Sequence, residues 1–74
     1  MNIEVKCYAT LSQYEPDQGS LEMQPGATLG DVLRTLSIPS ADVKIMFING
    51  HHSPLDKPLQ DNDRVGIFPA IGGG

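Results

Sequence analysis

One segment of this 74-residue chain repeats its apolar residues at helical spacing, and it is too short to stand alone. Leu29, Val32, Leu33 and Leu36 fall at i, i+3, i+4 and i+7, an apolar stripe opposite Asp31, Arg34 and Thr35. Pro25-Gly26 precedes the segment, and Thr28 followed at the third residue by Asp31 predicts a capping box, with Asp where Glu is the stronger choice. Pro39 disfavours helical geometry at Ile38 and sets the end near Ser37. A helix of about nine residues is marginal in water, so its stripe must be buried against a sheet.

The remaining sequence supplies that sheet. Ile3, Val5 and Cys7 alternate with Glu4, Lys6 and Tyr8, the period of a strand with one buried face. A connection from Gln13 to Ser20 holds Pro16, Asp17 and Gly19, and a second alternation sets Leu21 and Met23 against Glu22 and Gln24. After the helix comes the most apolar run, Val43 to Ile48, followed by Asn49-Gly50, a strong signal for a two-residue hairpin turn. His51 to Lys57 is broken by Pro54 and can give only a brief edge strand. Gln60-Asp61-Asn62-Asp63 reads as a turn, and Arg64 to Phe68 as a last strand stopped by Pro69. An early helix between strands requires a sheet that curls around it. The expected fold is α+β, a ubiquitin-like β-grasp with a mixed sheet of four to five strands on one main helix. Its first and last strands should run parallel in the middle, with residues 1–71 as the domain and residues 72–74 as a tail.

So short a domain has little room for both a core and a deep, water-excluding active site. Nine acidic against five basic side chains, a net charge of −4, argue against nucleic acid and membrane as partners and favour a basic surface on another protein. The single cysteine, Cys7, cannot close an internal disulfide and rules out a two-iron ferredoxin, which shares this strand order but needs four cysteines. With no basic and apolar leader at its start, the chain is expected in the cytoplasm.

Some residues have a bland reading and a sharper one. Cys7 falls on the inward side of its strand, where a thiol is core. His51 and His52 point to opposite faces of a strand and read as a solvated hairpin rather than a metal site. Asp61 and Asp63 read as turn formers rather than paired catalytic carboxylates. The run Ile45-Met46-Phe47-Ile48 is apolar on both faces. One expectation turns Val43, Ile45 and Phe47 inward and leaves Met46 partly exposed; the other makes Met46, Ile48 and Phe68 a docking patch. With Val65 and Ile67 in the core, Phe68 turns outward as the expected partner anchor, followed by Pro69 and Ile71.

The ending Gly72-Gly73-Gly74 has no use as packing, because glycines add no burial and lose the most entropy on ordering. As a thin arm without Cβ atoms it can thread a narrow channel and reach about 10 Å. The reactive group is then the α-carboxylate of Gly74, which with a pKa of about 3.5 is ionised and needs activation before a nucleophile can attack it. No phosphate loop, metal cluster or catalytic triad accompanies it in the sequence, so a separate enzyme must do the activating.

Tyr8-Ala9-Thr10-Leu11, Pro25-Gly26-Ala27-Thr28-Leu29-Gly30-Asp31-Val32-Leu33, Asn49-Gly50, Leu59-Gln60-Asp61-Asn62-Asp63-Arg64-Val65 and Phe68-Pro69 leading to Gly73-Gly74 follow one another in an order that resembles the MoaD/ThiS family of sulfur carriers. The resemblance spans essentially the whole chain. It implies a non-catalytic co-substrate with no bound cofactor. An adenylating enzyme of the ubiquitin-activating type (MoeB/ThiF-like) spends ATP on Gly74, and a sulfur donor enzyme converts the adenylate to a thiocarboxylate. The aromatic-Ala-x-Leu segment and Phe-Pro point within the family to the small subunit of molybdopterin synthase. Its large subunit (MoaE-like) then receives the tail and builds the dithiolene of a molybdenum or tungsten cofactor. Sulfur transfer to thiamine thiazole or tRNA, and conjugation to protein lysines as a ubiquitin-like modifier, are the alternatives. Gly72 departs from the family's frequent Ala or Ser and should loosen the arm.

Overall fold

The structure, a computed structural model, describes residues 1–70. Its elements are β1 (Asn2–Cys7), β2 (Ser20–Glu22), α1 (Leu29–Leu36), β3 (Val43–Ile48), β4 (His51–His52) and β5 (Arg64–Pro69), with short 3₁₀ turns at Ala9–Tyr14, Asp17–Gly19 and Ser40–Asp42. They form one sheet in the order β2-β1-β5-β3-β4. β1 and β5 pair in parallel, Val5 opposite Val65 and Cys7 opposite Ile67, while every other pairing is antiparallel. This is the β-grasp arrangement expected from the strand order.

The helix begins where the sequence says it should. The Thr28 amide donates to Asp31 Oδ2 at 2.9 Å and the Asp31 amide donates back to Thr28 Oγ1 at 3.3 Å, so two of the helix's orphan donors are satisfied reciprocally. Arg34 pairs with Asp31 on the solvent side. At the other end Ser37 takes a left-handed conformation with φ 62°, and the Ile38 amide donates to the Leu33 carbonyl at 2.9 Å, the bond that closes a Schellman cap. Ile38 and Leu33 are both buried, as that cap requires. Leu29, Val32 and Leu33 meet Ile3, Val5 and Cys7 of β1, Val65 and Ile67 of β5, and Leu11, Ile38 and Leu59 from the connections in one core.

Asn49 and Gly50 both adopt positive φ, 52° and 83°, so β3 turns into β4 through two residues. The turn is tied to the next one. Asn49 donates through Nδ2 to Asp63 Oδ1 at 2.9 Å and accepts the Arg64 amide at 3.0 Å, while Asp63 Oδ2 accepts the Gln60 amide at 2.8 Å. Asp61 accepts the Asn2 amide at 2.8 Å. Both carboxylates are therefore turn and strand-end acceptors, as their sequence context predicts.

The expected phase of β3 is overturned. Met46 and Ile48 are 3 % and 7 % exposed and belong to the core, whereas Ile45 and Phe47 lie on the opposite face. The cause is register. Met46 sits directly across from Ile67 and Ile48 from Val65, and residues directly opposite share a face. A run that is apolar on both sides carries no periodicity from which to read that phase. Val43 packs against the core as expected, because the register shifts between Val43 and Ile45 and the bulge turns Val43 back.

Candidate functional site

Alternation along the strands leaves one face of the sheet without a helix. Tyr8 follows β1 on this side, Phe68 and Gly66 come from β5, and Phe47 from β3. The Tyr8 and Phe68 rings are stacked, centroids 4.2 Å apart and planes 3° from parallel. Phe47 meets Phe68 edge to face at 5.5 Å, and His52 of β4 tilts against Phe47 at 5.9 Å. Gly66 lies beneath the three aromatic residues. A Cβ there would stand 3.6 Å from Tyr8, 3.7 Å from Phe68 and 4.0 Å from Phe47, so its absence leaves a depression floored by backbone. The open groove around it has a volume of about 740 Å³, and Glu4, Lys6, Glu15 and Arg64 rim the aromatic centre. An apolar aromatic centre inside a ring of mixed charge is the composition of a protein contact surface.

The segment that follows Phe68 is held by this sheet as far as Ala70. Pro69 is opposite Val43, and the Ala70 amide donates to the Asp42 carbonyl at 2.8 Å, so the chain is directed as far as Ala70 by the bulged end of β3. Phe68, two residues earlier, faces outward as its strand alternation predicts. Pro69 is buried on the core side and offers no surface for a partner. Met46 and Ile48, the other expected patch residues, are likewise core, and the half-buried Phe47 lies on the open face instead. Ile71, Gly72, Gly73 and Gly74 lie outside the described residues.

Tyr8 and Phe47 were not singled out as surface aromatics by sequence reasoning. The signal for Tyr8 was present in the alternation of β1, which places it opposite Cys7; Phe47 needed the β3–β5 register. Cys7 is buried, and burial, with the negative charge of Glu15 adding to it and Lys6 opposing it, raises its thiol above the ordinary value of 9.0. Such a thiol is protonated and withdrawn at neutral pH, a core group rather than a sulfur acceptor. His51 and His52 are exposed on the edge strand. Among the described residues there is no group of three or more His, Cys, Asp or Glu side chains placed to hold a metal, and no helix long and apolar enough to cross a membrane.

Fold and face together define a ubiquitin-like β-grasp protein. The family model described as the ThiS family matches residues 5–74, and the chain belongs to that family. Among solved structures it is similar to a putative molybdopterin converting factor, subunit 1, from Pyrococcus furiosus, at 26 % identity and TM-score 0.75, covering 95 % of this chain and 98 % of the other. It shares the fold of SAMP1 from Haloferax volcanii, at 19 % identity and TM-score 0.75 with full coverage of both chains. A search of curated protein sequences returns no match.

Proposed function

We propose that the chain is a sulfur carrier for molybdopterin synthesis that acts through the α-carboxylate of Gly74. The observation that carries this reading is the family match, which runs from β1 through Gly74, joined to an aromatic face whose Phe68 lies six residues before Gly74 in the sequence. The Pyrococcus furiosus neighbour's description supports the molybdopterin branch. In the reaction, a carboxylate oxygen of Gly74 attacks the α-phosphorus of ATP in an adenylating enzyme of the ubiquitin-activating type and displaces pyrophosphate. The outer sulfur of a donor enzyme's persulfide then attacks the acyl carbon and AMP leaves, giving an acyl disulfide. A second thiol of the donor attacks the donor's own sulfur in that disulfide, so that the donor ends as a disulfide and Gly74 leaves as the thiocarboxylate. The large subunit of the synthase receives the loaded arm. The globule contributes no catalytic group; it offers the Tyr8, Phe47 and Phe68 face for partners to hold, and Gly72 and Gly73 pass through the channel.

Intact mass of the chain after incubation with ATP, the activating enzyme and a sulfur donor tests this. The expected product has one oxygen replaced by sulfur at Gly74. A variant carrying one added residue after Gly74 should melt at the same temperature and form no adenylate; normal adenylation of that variant overturns the mechanism. Branched lysine peptides ending in Gly73-Gly74, without thiocarboxylate, would assign the chain to protein modification instead.

A further inference from the structure

β2 is too short for the strand it accompanies. Its pairing with β1 ends at Glu4 opposite Ser20, yet β1 continues to Cys7. The Glu4 and Tyr8 amides donate toward β5, to the carbonyls of Asp63 at 2.9 Å and Ile67 at 3.0 Å, so the alternate amide of Cys7 faces the side where β2 has stopped. A donor left unpaired there would carry its full desolvation cost. Glu15 fills the gap: its Oε1 accepts the Cys7 amide at 2.8 Å, with Lys6 Nζ 3.9 Å from the same oxygen.

That bond closes a loop whose first residue is Tyr8. The Leu11 amide donates to the Tyr8 carbonyl and the Glu15 amide to that of Ser12, with Leu11 buried between them. Ala9, directly after Tyr8, has φ 52°, a conformation that persists only where its surroundings enforce it. We infer that Glu15 is the positioning residue of the docking face: by replacing the missing length of β2 it holds the Tyr8 ring on Phe68 and so shapes the surface at the root of the tail. The consequence for partners rests on the carrier reading above; the consequence for the rings does not.

The test compares Glu15→Ala with Glu15→Gln, whose amide oxygen can still accept. Ring-proton shifts of Tyr8 report the stack by NMR, and the KM for the carrier in adenylation reports docking. Glu15→Ala should move the Tyr8 shifts toward those of a free tyrosine and raise KM about five- to tenfold with kcat kept, and Glu15→Gln should restore both. Thr28→Ala, a destabilising change at the distant helix cap, should move neither. Unchanged Tyr8 shifts in Glu15→Ala overturn the inference, as does an equal rise in KM for Thr28→Ala. If the unaltered chain is never adenylated, the carrier reading fails, and the ring shifts alone decide the role of Glu15.

Discussion

Tyr8 and Phe68 lie face to face, 4.2 Å between ring centroids, although 59 residues separate them between the end of β1 and the end of β5. Parallel pairing of β1 with β5 makes this contact, and it places an aromatic platform two residues before Ala70, whose amide is held by the Asp42 carbonyl. Phe68→Ala removes the stack and the edge contact with Phe47, a loss of about 0.5–1.5 kcal/mol per aromatic pair beyond lost burial. The variant should remain folded with a lower melting temperature and require a much higher carrier concentration for adenylation. An unchanged KM with Phe68→Ala would show that partners do not grip this face.

Met46 and Phe47 are neighbours in sequence and face opposite ways, which stability measurements can check. Met46→Ala empties core space against Ile67 and should cost about 2–4 kcal/mol in urea unfolding. Phe47→Ala, on the open face, should cost less and act on partner affinity. The reverse ranking would mean that the β3 register is wrong.

Gly66 separates space from backbone need. The Cβ of Gly66→Ala meets its neighbours at ordinary van der Waals distance, so the variant should melt at or above the temperature of the unaltered protein. Gly66→Val fills more of the depression and should weaken docking while the fold persists. Full docking by Gly66→Val argues that no partner enters between the rings.

The Cys7 thiol gives a pH dependence whose sign is set. Its folded pKa lies above its unfolded value, so the folded chain keeps a proton that the unfolded chain releases. The stability held in that proton is complete below the unfolded value near 9.0 and is lost as pH rises through the folded value. Urea midpoints should therefore fall more steeply above pH 9 for the unaltered protein than for Cys7→Ala. Identical slopes would remove the thiol from the account.

The helix cap offers a change without functional effect. Thr28→Ala deletes the acceptor for the Asp31 amide and should cost about 1 kcal/mol, read as a lower denaturation midpoint. Adenylation kinetics well below that midpoint should be unaltered.

What could be read from residues alone were the features carried by local chemistry: the capping box of Thr28 and Asp31, the stop at Ser37 before Pro39, the Asn49-Gly50 turn, and the strand order that requires a β-grasp sheet. Cys7, Val65, Ile67 and Phe68 were also assigned to their faces correctly, because Cys7 lies in a clear polar–apolar alternation and Phe68 follows from placing Val65 and Ile67 inward. Tertiary structure decided the side of β3 that meets the helix, the burial of Met46, Ile48 and Pro69 away from the open face, and the Glu15 bond that completes β1 beyond the end of β2. Each of these depends on which residue of one strand lies opposite which residue of another. An all-apolar run is compatible with either phase, and only pairing across the sheet selects one.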